Sequence, residues 1–370
     1  MPQEAELYQS AEQQLNICNS CRYCEGYCAV FPALERYTEL TTGKIDFLAN
    51  VCHDCRACLY ACMYAPPHEF GVDIPRTLSR VRRGTWKKDL PWPARRFAEL
   101  AGAGPAAALL VCAAVVLVIS GSTVGLGQLW HSHASAASPY AVVPYPAVLS
   151  VMGLAFLYGL AVMAVAARNY WRRTGAPPGG LRSLAAWRAA VADAAYLRNL
   201  RGGGGDCQYP SEAPNSLRRH LHAAVAYGFL ACLLATISAG FLQDAAGDSP
   251  PYPFVSLPVL SGTLGGVAIM IGTLGLLFLK SRADPYATDE DAIGQDAAFV
   301  AALAILALTG LLTLLLRSSS AFGIVLIVHL SVVAACFVLA PSSKFAHAPY
   351  RLLALVQEHL EEPSAAVTAA

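Results

Sequence analysis

The sequence predicts an all-α protein in two parts: a small helical N-terminal domain gathered around cysteines, then a six-helix transmembrane bundle. Three observations predict it. Of 370 residues 55% are hydrophobic and only 14% charged, a balance too apolar for an ordinary soluble domain. The apolar residues fall into long runs almost free of charge. Eight of the twelve cysteines lie within the first 62 residues.

Residues 1–17 are polar and acidic, without the basic start and apolar stretch of a cleaved signal, so the domain at 1–96 is expected in the cytoplasm. In a reducing compartment, such cysteine density points to metal rather than to disulfides. "CNSCRYCEGYC" places Cys18, Cys21, Cys24 and Cys28 at C-x2-C-x2-C-x3-C spacing, and "CHDCRACLYAC" repeats it with Cys52, Cys55, Cys58 and Cys62. This is the spacing of bacterial two-cluster ferredoxins, in which the fourth cysteine of each run ligates the other cluster. Cys18, Cys21, Cys24 and Cys62 are therefore expected to hold one [4Fe-4S] cluster, and Cys52, Cys55, Cys58 and Cys28 the second. Structural zinc, the competing reading, normally arrives as two separated C-x2-C pairs. Ala29 and Met63 replace the proline that usually follows the fourth cysteine. His53 and His68 read as ordinary polar residues, and Cys112, Cys207, Cys232 and Cys336 as scattered thiols.

Six segments at 101–119, 147–167, 222–242, 259–279, 297–316 and 321–340 have spanning length and apolarity. They define a membrane domain at 97–347 with a cytoplasmic loop at 168–219 and a cytoplasmic tail at 348–370. Basic residues favour cytoplasmic loops, and six spans put 25 of the 26 Lys and Arg on one side, Arg317 being the exception. The expected location is the inner membrane, with both termini cytoplasmic. Within the loop, "LRSLAAWRAAVADAAYLRNL" has helical periodicity and suits the interface. "RGGGGDCQYPSEAPNS" reads as a flexible linker, since no strand precedes its glycines and no Lys-Ser/Thr follows them. There is no GxGxxG fingerprint, so any flavin belongs to another polypeptide.

An ionisable side chain inside a span is a functional candidate by default. His329 lies nine residues into the sixth span. His222 opens the third span and His347 lies just past the sixth, at similar depth on different helices, as bis-histidine ligation of haem b requires. His220 is the alternative to His222, because residues two apart on a helix face nearly opposite ways. Eighteen residues, about 27 Å if helical, separate His329 from His347, so they cannot share one iron. A second haem at His329 needs a partner such as His131 or His133.

Taken together, the two cysteine quartets, "RGGGGDCQYPSEAPNSLRRHLH", "AYGF", the intramembrane "VHL" and "KFAHAPYR" resemble the tricarballylate (citrate) utilisation protein B family over most of the chain. The membrane part is similar to the cytochrome b (gamma) subunit of respiratory nitrate reductases. The resemblance implies an electron-transfer protein with two [4Fe-4S] clusters and haem b, fed by an FAD-dependent tricarballylate dehydrogenase and feeding the quinone pool of the respiratory chain. The chain is then the electron-transfer subunit, not the substrate-oxidising enzyme, and its partners include the lipid bilayer but no nucleic acid. Deeper in the third span, where a further inner ligand is expected, the polar candidates are Cys232 and Thr236. Two rival functions stand beside this. A heterodisulfide-reductase-like membrane enzyme uses Cys-Cys-Gly motifs that this chain lacks. A transporter with a metal-binding domain would use the acidic "DPYATDEDAIGQD" for recruitment, although no internal repeat supports it. Eight basic residues between Arg76 and Arg96 are candidates for docking the dehydrogenase or anionic lipid.

Overall fold

The computed structural model describes residues 2–92, 94–96, 104–130, 138–287 and 289–362. Among the described residues every named element is a helix, and the single bridge Cys207–Asn215 is the sole trace of pairing.

The N-terminal part comprises α1 (Pro2–Cys21), α2 (Val30–Glu35), α3 (Thr42–Val51), α4 (Ala57–Tyr60) and α5 (Ile74–Lys88). Two starts have side-chain caps. The Thr41 hydroxyl accepts from the Lys44 amide at 3.4 Å, and the Asp73 carboxylate from the Arg76 amide at 3.0 Å, with Pro75 in the first turn of α5. Leu15, Leu34, Phe47, Leu48 and Leu78 are buried between these helices. α3 lies at the centre and buries even its polar residues, Asp46 and Asn50. The Asn50 side chain donates to the Asp46 carbonyl at 2.9 Å and to the Thr85 hydroxyl at 3.3 Å, so its burial is compensated.

The remainder comprises α6 (Gly104–Thr123), α7 (Tyr145–Arg173), α8 (Leu184–Ala195), α9 (Leu217–Asp244), α10 (Leu257–Ser281), α11 (Glu290–Leu315), α12 (Phe322–Leu339) and α13 (His347–Glu361). Five helices among the described residues are long and apolar enough to cross a membrane: Tyr145–Arg173, Leu217–Asp244, Leu257–Ser281, Ile293–Leu315 and Phe322–Ser342. Within the first span that the sequence predicts at 101–119, the described residues from Gly104 on are helical and apolar, but the stretch Ala108–Thr123 is shorter than the other five. Residues 97–103 lie outside the described residues. The count established by length and composition is thus five, and the sixth is not.

α12 packs on α6, α7 and α11, and α11 on α10. Between α9 and α10 the backbones themselves touch. A Cβ on Gly228 would stand 2.8 Å from the Gly265 carbonyl oxygen, and one on Gly272 would stand 2.7 Å from that of Leu221. Small residues at such crossings let membrane helices approach closely. This contact sets the register of α9 and so the position of His222.

Two expectations change here. A straight helix from His329 to His347 does not form, because Pro341 cannot donate a helical hydrogen bond. The chain turns through Ala340–Ser342 and Lys344–Ala346 before α13 begins at His347. The segment expected as a tail then forms α13, which buries Ala354 in the N-terminal core and Tyr350, Leu353 and Val356 against Tyr170 and Trp171 of α7. The linker at 201–216 is also packed rather than flexible. Cys207 is 1% exposed, and the Gln208 amide donates to the Cys55 carbonyl at 2.9 Å. Gly202, at φ +51°, makes the close turn that brings this segment to Ala57.

The α9–α10 contact makes a prediction. Gly228→Ala drives a Cβ into backbone and should cost about 1–3 kcal/mol, whereas Gly153→Ala, with nothing within 4 Å of its added carbon, should stay within about 0.5 kcal/mol of wild type. Thermal unfolding in detergent checks both.

Candidate functional site

The eight cysteines of the two runs are all free thiols, and the fold groups them across the runs. Cys18 and Cys21 end α1, Cys24 follows in a turn, and Cys62 comes in after α4; these four line one cavity with Ile17 and Tyr64. Cys62 is the strongest thiol neighbour of Cys18. Cys28 lies instead beside Cys55 and Cys52, and Cys58 beside Cys28, Cys55 and Cys52. Cys24 also neighbours Cys58, so the two groups are adjacent. Local backbone shapes the second group: Asp54 and Arg56, on either side of Cys55, have positive φ of 54° and 66°. That curl turns the Ala57 amide toward the Cys55 sulfur, as those of Val30 and Phe31 turn toward Cys28.

Burial pushes the Cys18 and Cys55 thiols up to about 12 and Cys24 up to about 11; neighbouring thiols add to the rise. Burial raises Cys28 and Cys58 as well. Thiols packed together in an apolar setting resist ionisation, and a metal centre reverses that by binding thiolate. The donor sets therefore fit metal–sulfur centres. Among the described residues no three His, Cys, Asp or Glu side chains close around a single ion. A zinc site needs sulfurs about 2.3 Å from one metal, whereas a four-iron cluster is larger and its thiolates stand farther apart.

His222 and His347 meet. Their ring centres are 6.2 Å apart with planes inclined at 56°. A metal–nitrogen bond of about 2.0 Å on each side, plus about 1.1 Å from nitrogen to ring centre, gives roughly 6 Å for two imidazoles on one iron. His347 Nδ1 donates to the Lys344 carbonyl, which leaves Nε2 unprotonated and available as a ligand. Burial, then Arg351 and His222, hold His347 down to about 3, so it is neutral as ligation requires. The segment before it is pinned: Phe345 packs edge-on between Phe229 at 5.5 Å and Phe299 at 5.1 Å, and Lys344 pairs with Asp296, which also holds Lys280 at 3.1 Å. His220 is exposed, its Nδ1 3.0 Å from the Ser216 carbonyl, so His222 is the histidine facing His347.

His329 is not part of this pair. Its Nδ1 lies 3.0 Å from the Thr309 hydroxyl, against Gly310 of α11. The expected partners His131 and His133 lie outside the described residues. Cys232 packs on Gly265, and the Thr236 hydroxyl donates to the Cys232 carbonyl at 3.1 Å. His53 is more than a surface polar group: its Nδ1 is 2.6 Å from the Val51 carbonyl, and burial holds it well below the usual histidine range.

The sequence reading missed Arg82, Arg218, Arg351 and Tyr209. Arg82 and Arg351 donate to the Cys52 carbonyl at 2.6 and 2.9 Å, and Tyr209 lies between Arg56 and Arg218 at 4.5 and 4.9 Å. The sequence did carry a signal, since Arg218 and His222, and His347 and Arg351, are four residues apart. The basic stretch at 76–96 is largely engaged within the chain. Arg80 and Arg83 hold Asp289 at 3.2 and 2.5 Å, Arg76 donates to the Tyr286 carbonyl at 2.9 Å, and Lys88 pairs with Glu4. Asp289, in the acidic segment that the transporter reading would use for recruitment, thus pairs with this chain's own N-terminal domain.

Residues 99–368 match the family described as citrate utilization protein B, and residues 11–88 match the citrate utilization protein B Fer4-like domain. The chain belongs to the citrate utilization protein B family. A citrate utilization protein B of Escherichia coli is 35% identical over 364 residues, covering 97% of this chain and 93% of that protein. No solved structure matches. The Fer4-like match covers both cysteine groups, and the larger match covers His222, His329 and His347.

Crossed grouping makes a prediction that sequential grouping does not. Cys18→Ser combined with Cys28→Ser should disable both groups, taking iron and acid-labile sulfide from about eight of each per chain to near zero. Ligation within each run would leave about four. Chemical analysis of anaerobically purified protein separates the two.

Proposed function

We propose that this chain is a membrane electron-transfer protein, taking electrons from a cytoplasmic FAD-dependent dehydrogenase of the tricarballylate type and delivering them to the quinone pool. Two [4Fe-4S] clusters on the crossed cysteine groups and haem b between His222 and His347 supply one-electron carriers when bound. The observation that carries the reading is the continuity of the sites. Cys21 is exposed, Cys24 neighbours Cys58, and Cys52 is bonded through Arg351 to the helix that begins with His347.

The chain's own residues then have defined tasks. Tyr23 and Met63, at 59% and 62% exposure, line the first cysteine group's cavity, and Phe70, at 50%, packs on Tyr64 of that lining, so the three offer an apolar rim for the dehydrogenase. Cys52 and Cys55 are buried, which keeps the second group from water and from other acceptors. His347, oriented by the Lys344 carbonyl, and His222, set by the α9–α10 contact, would hold haem b through their imidazole nitrogens. Six spans with both termini cytoplasmic agree with the distribution of 25 of 26 basic residues and bring these sites to the cytoplasmic face.

The test mixes membranes containing this protein with the dehydrogenase and its tricarboxylic acid substrate. Haem reduction that depends on both, followed by reoxidation on adding quinone, is expected. His222→Ala and His347→Ala should each remove the reduced-haem band, and His220→Ala should keep it. Substrate-dependent haem reduction without the dehydrogenase, or after loss of both cysteine groups, would contradict the order.

A further inference from the structure

Each histidine of the facing pair has an arginine one helical turn away, and the two arginines bond to adjoining carbonyls of one three-residue stretch in the second cysteine run. Arg218 lies four residues before His222 on α9 and Arg351 four residues after His347 on α13, so each pair shares a helix face. Arg218 donates to the Asp54 carbonyl at 2.5 Å and reaches that of His53 at 3.5 Å. Arg351 and Arg82 both donate to the Cys52 carbonyl. Three guanidinium groups therefore converge on residues 52–54, between Cys52 and Cys55 on one side and the histidine pair on the other.

Their charge is poorly matched by the chain itself. Asp54 stands 3.9 Å from Arg218, but among the described residues no carboxylate is within ion-pair distance of Arg82 or Arg351. The Arg351 Nε is buried without a hydrogen-bond partner. A buried cation of this kind needs an anion. A [4Fe-4S] cluster with four thiolates carries net negative charge, and haem b carries two propionate carboxylates.

We infer that Arg218 and Arg351 are positioning residues that hold the Cys28, Cys52, Cys55 and Cys58 cluster against the haem and raise its reduction potential, making it the haem's immediate electron donor. The inference rests on the cluster and haem ligation proposed above. In the transfer one electron leaves that cluster and enters the haem iron, and no atom or proton moves. Positive charge favours the reduced, more negative form of either group, so its removal lowers the potential.

Redox titration of the full-length protein, following clusters by EPR and haem by absorbance, tests this. Arg351→Gln should shift one cluster about tenfold toward its oxidised form, about 59 mV for a one-electron couple. The shifted cluster should be the one lost in Cys55→Ser. The other should keep its wild-type potential, and Arg351→Lys should recover most of the shift. If Arg351→Gln does not assemble, Arg218→Gln carries the same test. Unchanged potentials in the glutamine variants, or a shift confined to the cluster lost in Cys21→Ser, would overturn the inference while leaving the ligation standing. Wild-type protein with neither cluster signal nor haem band would overturn the ligation itself.

Discussion

The helix His347–Glu361 belongs to both halves of the molecule, and the rest of the arrangement depends on that sharing. Its first residue faces His222, its middle buries Ala354 in the N-terminal core, and its end is held by that domain. Arg36 makes two hydrogen bonds to Glu358, at 3.2 and 2.6 Å, while Lys44 and Tyr37 hold Glu361. Gln357 meets the Thr174 hydroxyl at 2.9 Å. Nearby, Arg173 at the end of α7 donates twice to Asp89, at 2.9 and 2.7 Å, and pairs with the fully buried Asp46 of α3. Removing one partner from a buried pair of this kind costs about 3–5 kcal/mol, because the other is left charged and alone. The cysteine domain is therefore not a tethered module swinging on a linker. Its distance from the histidine pair is set by packing.

That constraint gives the small residues and short connections their meaning. The glycine contacts between α9 and α10 hold one histidine in register, and the Phe229–Phe345–Phe299 stack holds the other. The packed segment at 201–216 covers Cys55 of the second cysteine group through Cys207 and Gln208. Electron transfer weakens steeply with distance, so a chain whose task is transfer gains from rigidity at these joints. Hinged domains, by contrast, belong to proteins that must open around a substrate.

Much of this was legible in the sequence because the signals are local. Cysteine spacing foretells which thiols gather, since the offset of the fourth cysteine is a short-range property, and the apolar runs foretell the long helices. The meeting of His222 and His347 was legible from their matched depth. The docking of α13, the burial of Cys207 and the approach of Arg218 and Arg351 to residues 52–54 were not, because each depends on contacts between residues more than 150 positions apart. The partners of Arg76, Arg80 and Arg83, Tyr286 and Asp289, were hidden for the same reason, lying more than two hundred residues away. The "GGGG" stretch read as a linker because glycine signals freedom in isolation, whereas Gly202 uses that freedom to pack.

Electron transfer as proposed requires this one chain to hold three iron centres. A density map of the anaerobically purified protein, with iron located by anomalous scattering at its absorption edge, tests it most directly. Two compact four-iron centres on the crossed cysteine groups are expected, the second nearer the membrane, with a single iron in a flat macrocycle between His222 and His347. Zinc at the cysteines, or the two imidazoles in direct contact with no iron between them, would contradict it.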